Sequence, residues 1–162
     1  MNCNLMLSVL LFSLATIMPA YARIPVPPTQ ENACNYLSQQ MATSLYGAPV
    51  SPAKSQAGAV GAMSMCVYVD PKASDAVSLM IMTIPAGMEV SMMDAITKGS
   101  PTTHVTPVAG LGDHAVFASD TKALSLAVQS HGKMVVLGIT GPDTPSRRSA
   151  LIPVVRQMIG RL

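Results

Sequence analysis

The chain has 162 residues, 49% of them apolar, 11% charged and 4% aromatic, with no Trp, and ten Lys and Arg against eight Asp and Glu leave a net charge of +2. A charge this small and scattered excludes a dedicated nucleic-acid binder, which needs a basic stripe to displace counterions. The apolar fraction excludes a disordered chain, and the length fits one domain rather than two.

Residues 5–18, LMLSVLLFSLATIM, form a nearly unbroken apolar run, followed by Pro19 and by Ala20 and Ala22 in an A-x-A pattern. An apolar core, a helix-breaking Pro and small residues at the cleavage positions predict a secretory signal peptide over 1–22, cut after Ala22. A membrane-spanning helix needs roughly 20 apolar residues; this run has 14. The n-region Met1-Asn2-Cys3-Asn4 departs from the usual pattern in having no Lys or Arg. Cys3 stands before the apolar core, whereas lipid attachment needs a Cys after it. The expected product is a single domain over 23–162, periplasmic or secreted, with no stable membrane anchor. Cleavage leaves two of the three cysteines, Cys34 and Cys66. An even count in an exported chain predicts a disulfide, and a closed loop of this length stabilises by about 3–4 kcal/mol in the chain-entropy model. The rival reading, two thiol metal ligands, lacks the C-x-x-C spacing of a zinc site.

The mature chain opens with RIPVPP, an extended entry. Thr29 is placed to cap a helix within 30–46, where Ala33, Leu37, Met41 and Leu45 recur at i+4 and Gly47 and Pro49 supply the stop. Residues 48–61, rich in Ala, Gly, Ser and Pro, predict a surface loop. Met63, Met65, Val67 and Val69 alternate with Ser64, Cys66, Tyr68 and Asp70, a strand. Residues 70–75 turn the chain into a second strand over 77–84, and the two make a hairpin. The second strand is apolar on both faces and so is expected to be central. Residues 91–97 read as a short helix, residues 100–109 as a surface crossing, and 110–113 as a bend. Strands follow over 114–118, 123–128 and 133–140, with His131-Gly132 as the last hairpin turn. Asp143 or Thr144 caps a final helix with Pro145 in its first turn. Its apolar stripe is Leu151, Val154, Val155, Met158 and Leu162; Pro153 is expected to kink it near Ser149. Arg147, Arg148, Arg156 and Arg161 are read as its solvated side. The expected fold class is α+β: a mainly antiparallel sheet of about five strands packed with an N-terminal and a C-terminal helix.

Cys34-Asn35-Tyr36-Leu37, Gly47-Ala48-Pro49-Val50, Cys66-Val67-Tyr68 and Val108 to Ala115 (VAGLGDHA), with the Gly-Lys turn and the amphipathic C-terminal helix, form a recognisable series. Over nearly all of residues 30–162 the chain resembles the DUF3558-like small exported proteins. That resemblance implies a Mog1/PsbP-like α/β sandwich, and it offers no known catalytic residues to carry over. Members of the group are often lipoproteins; the lipid-attachment Cys is missing here, so anchoring does not carry over.

Ten methionines remain after residue 22. Met63 with Met65 and Met80 with Met82 are M-x-M pairs, and in a strand each pair points one way. Soft thioethers suit Cu(I), with Met88, Met92, Met93, His104, His114 and His131 as further donors. The plainer reading is that Met fills core gaps in a chain with only two Phe. Asp113-His114 invites a Ser-His-Asp reading, but no G-x-S-x-G is present and adjacency in sequence is not triad geometry. Gly110-x-Gly112 lacks the third glycine of a dinucleotide fingerprint. The expectation is a non-enzymatic cell-envelope protein without a cofactor that binds a protein or small ligand. The alternative is a Met-dependent Cu(I)-binding protein using Met63, Met65, Met80 and Met82. The surface expected to bind is the 48–61 loop, the 98–114 segment and their junction, since loops carry function more often than packed elements.

Overall fold

Alternation of side chains along extended backbone builds seven strands among the described residues: β1 (Lys54–Ala57), β2 (Met63–Val69), β3 (Asp75–Thr83), β4 (His104–Pro107), β5 (His114–Ser119), β6 (Ala123–Ser130) and β7 (Lys133–Thr140). The computed structural model describes residues 32–57, 63–72, 75–88, 94–95, 98 and 102–162. The signal peptide and Thr29 lie outside them, as does most of the helix expected at 91–97, of which Asp94 and Ala95 are helical. Two helices complete the described elements, α1 (Gln39–Tyr46) and α2 (Pro145–Ile159). The chain is α+β. All pairings are antiparallel, in the order β1-β2-β3-β7-β6-β5-β4.

The sheet exceeds the expected five strands because β1 and β4 form from segments read as loop and surface crossing. Both are short edge strands. An edge strand hydrogen-bonds on one side and need not bury a face, so KSQA shows no apolar alternation, and in HVTP the alternation lasts four residues and ends in a Pro. Pro107 is tolerated because it ends an edge strand.

The predicted N-terminal helix is two pieces. A 3₁₀ turn over Ala33–Asn35 is capped by Asn32, whose side chain accepts from the Cys34 N–H. A new start at Ser38 then opens α1, with the Ser38 hydroxyl accepting from the Met41 N–H at 3.2 Å. Such a cap stabilises a helix by about 1 kcal/mol. Between the pieces the Leu37 carbonyl accepts from the Tyr68 hydroxyl at 2.6 Å. The i+4 stripe still picks the inward side chains: Ala33 and Leu37 are fully buried and Leu45 nearly so. Gly47 ends α1 in the left-handed conformation, φ +86°.

Three ties fasten this segment to one face of β2. Cys34 and Cys66 are joined with a Cα–Cα distance of 5.0 Å. Ser64 Oγ accepts from the Ala33 N–H at 2.9 Å, and Tyr68 donates to Leu37. Burial holds the Tyr68 hydroxyl above its ordinary pKa. The same face continues through Val77, Leu79 and Ile81 of β3, Val135, Leu137 and Ile139 of β7, and Leu124, Leu126 and Val128 of β6. Leu151, Val155 and Met158 of α2 close it, all fully buried.

Thr144 caps α2, its hydroxyl accepting from the Arg147 N–H, and Pro145 takes the first turn. The helix runs through Pro153, whose ring is exposed. The arginines are not a simple solvated side. Arg147 donates to the Thr140 carbonyl at 3.1 Å. Arg148 grips Asp143 through Nε at 2.7 Å and Nη2, and stacks over Phe117. Arg161 donates to the Asn35 carbonyl at 2.9 Å and stacks over Tyr36. The Arg148 guanidinium pulls the Asp143 carboxyl down to about 2. His131 and Gly132 both take positive φ, 52° and 70°, as the twist-matched two-residue turn requires.

Candidate functional site

Every second residue of β2, β3, β7, β6 and β5 faces away from α1 and α2, and the register lines these residues into cross-strand rows. One row runs Met63, Met82, Met134, Gln129, His114. The next runs Gln56, Met65, Met80, Val136, Ala127, Val116, Pro107. A third begins Lys54, Val67, Ser78, Gly138.

The two M-x-M pairs therefore oppose each other directly, Met63 against Met82 and Met65 against Met80. All four are half-buried. Met134, beside Met82, is fully buried in a second small cluster with Ile84, Val116 and Ala127. Gln129, beside Met134, is 4% exposed, and its Oε1 has no hydrogen-bond partner. His114 ends the row in an exposed position as the first residue of β5.

The other candidate donors are scattered. Met88 is exposed in the loop after β3, and Met92 and Met93 lie outside the described residues. His104 opposes Ser119 on the edge strand, in register with the helix-covered face. His131 is in the last hairpin turn, 3.4 Å from the Ser130 hydroxyl of its sequence neighbour. Among the described residues no group of three or more His, Cys, Asp or Glu is placed to hold a metal ion. Asp113 and His114 are both exposed; the Asp113 N–H donates to the Gln129 carbonyl at 2.8 Å.

Gly112 is the one bend residue whose freedom is demanded twice. Its φ is +62°, and a Cβ there would strike the Gln129 carbonyl oxygen and Val128. Asp94, Pro107, Leu111, Asp113 and His114 are among the residues that line a cleft of about 360 Å³ beside this bend.

The junction expected between the 48–61 loop and the 98–114 segment does not form. Their described parts carry β1 and β4, which are the two opposite edges of the sheet. Six strand spacings separate them, roughly 29 Å. Nothing in either segment signals this, because edge order is decided by which strand β3 pairs with. Gln129, Met134 and Val136 were not singled out from the sequence. Their phase within β6 and β7 was readable, but their adjacency to the methionines depends on the non-local β3–β7 pairing.

A scan against protein-family models and a search of curated proteins found no match to this chain.

Proposed function

We propose that this protein is a non-catalytic, exported domain of the cell envelope that binds a ligand on the sheet face turned away from α1 and α2. The asymmetry of the sheet carries the reading. One face is closed by both described helices and by a disulfide whose Cys66 is fully buried. The other presents half-buried methionines and ends in a buried amide oxygen and an exposed imidazole. A disulfide sunk into the core suits an oxidising compartment. The resemblance to DUF3558-like exported proteins belongs to the same proposal. The edge strands and the cleft beside Gly112 are then scaffold and rim.

The test is the intact mass of the protein recovered from its native envelope fraction, with and without reductant. A start at Arg23 with two hydrogens missing is expected. An uncleaved chain with free thiols overturns the proposal, and so does a hydrolase activity that vanishes in His114→Ala.

A further inference from the structure

Six of the described methionines divide into two kinds. Met134 and Met158 are fully buried and fill gaps in the core, as Met does well. Met63, Met65, Met80 and Met82 are only half-buried: solvent reaches all four on the sheet face away from the helices, where Met82 packs against the small cluster around Met134. On a half-exposed pleated surface, β-branched and aromatic residues pack best, and on this face the neighbouring strand β7 sets Val136 beside Met80. Four unbranched thioethers side by side are not among the residues a pleated surface favours, and they gather soft-ligand chemistry in one place.

We infer that Met63, Met65, Met80 and Met82 form a thioether site for one monovalent copper ion. Directly opposed residues place their Cβ atoms roughly 5 Å apart, and alternate residues along a strand are roughly 7 Å apart. The four Cβ atoms thus mark a small rectangle over the β2–β3 pair. Each side chain has three rotatable bonds, enough to lean a sulfur toward the centre above it. Thioethers are soft and select Cu(I) over harder divalent ions. The thiols that would compete, Cys34 and Cys66, are consumed in the disulfide on the opposite side of β2. In an oxidising compartment the thioether is the soft sulfur that survives as a ligand.

A thioether carries no proton, so Cu(I) binding releases none; cysteine and histidine sites must be deprotonated to bind. Among the described residues, Lys54 of β1 and His114 of β5 are in phase with this face, and Asp75 pairs with Val69 in the same phase at the end of the β2–β3 pair away from Met63. His114 is four strands from Met63 and outside the rectangle. The site therefore binds Cu(I) with an affinity that is flat in pH.

This inference rests on the proposed ligand-binding role of the face, and its failure is separable from that of the wider reading. The disulfide-intact chain is titrated anaerobically with Cu(I), held reduced by ascorbate, against a chromophoric Cu(I) chelator. One Cu(I) per chain is expected, with only sulfur neighbours in the X-ray absorption spectrum. Affinity should be unchanged from about pH 5.5 to 7.5, across the imidazole range. Met63→Leu/Met82→Leu and Met65→Leu/Met80→Leu should each weaken binding by about tenfold or more, while folding in the far-ultraviolet dichroism stays intact because Leu and Met are near in volume. A readout that needs no variant is peroxide oxidation of the wild type followed by peptide mass mapping: Cu(I) should shield these four methionines and leave Met88 open to oxidation. No stoichiometric uptake, nitrogen neighbours, a loss of affinity through the imidazole range, or undiminished binding in the leucine variants overturns the site. Any of these with a correctly processed, disulfide-bonded chain leaves the exported binding domain standing and removes copper as its ligand.

Discussion

Strand β2 has two faces, and hydropathy alone would assign them the other way round. Ser64, Cys66 and Tyr68 lie buried beneath the N-terminal segment, whereas Met63 and Met65 stay half-buried on the far side. The difference is one of satisfaction. Each polar group on the buried face has a specific partner: an amide for Ser64, a carbonyl for Tyr68 and a sulfur for Cys66. A paired polar group removes the penalty that would otherwise keep it in water. The methionines carry no hydroxyl or amide that burial would leave unsatisfied, and partial exposure is what the proposed thioether site needs.

The comparison breaks most visibly at the disulfide. Replacing both Cys34 and Cys66 by Ala should lower stability by about 3–4 kcal/mol. A thermal melt should show it as a fall of roughly 10 °C. Cu(I) affinity, measured below that melt, should not move, because the bridge lies on the other side of the sheet. Adjacent residues of β3 give the next contrast. Leu79→Ala opens a cavity in a fully buried site and should cost about 3 kcal/mol in urea unfolding. Met80→Ala, one residue on and half-buried, should cost about 1 kcal/mol but weaken Cu(I) binding. Equal stability losses would refute the division of the sheet into a structural and a functional face.

Tyr68→Phe sharpens the point about satisfaction. It strands the Leu37 carbonyl and should cost about 1–2 kcal/mol, without effect on the metal. The smallest effect is electrostatic. Asp143, held down to about 2 by Arg148, has its folded pKa below the unfolded value of 3.8. Its contribution is present above 3.8 and is lost as pH falls toward 2. Both side chains are about a quarter exposed, 22% and 29%, so screening trims the contribution to about 1 kcal/mol. Asp143→Asn should flatten that part of the acid-unfolding curve, measured by fluorescence or dichroism against pH.

Local signals carried much of this fold. The hairpin over 63–84, the limits of β7, the Gly47 stop and the Thr144-Pro145 start all follow from period, turn chemistry and caps, which act within a few residues. The Cys34–Cys66 pairing was legible because the expected cleavage after Ala22 sets Cys3 aside and leaves one possible bridge. What escaped was non-local or unpatterned. β1 and β4 borrow their hydrogen bonds from an existing edge and need no apolar face. The break at Ser38 was hidden because both halves bury the same i+4 stripe. The methionine pairs were visible as pairs, but the rows joining Met82 to Met134 and Gln129 were not. They exist only because β7 comes back to lie against β3.

That return has a consequence for timing. Val77 meets Ile139 and Thr83 meets Lys133, so β1–β3 and β4–β6 are separate antiparallel ribbons until β7 is laid between them. During synthesis β3 stands as a bare, apolar rim with its hydrogen-bonding groups open, a template that another chain can copy. A chain stopped short of Lys133 keeps that rim permanently and is expected to self-associate. The complete chain closes it late, through contacts distant in sequence, and such closures are slow. The step that closes the sheet thus waits for β7, and the interval before it is when the protein is most exposed to its own copies.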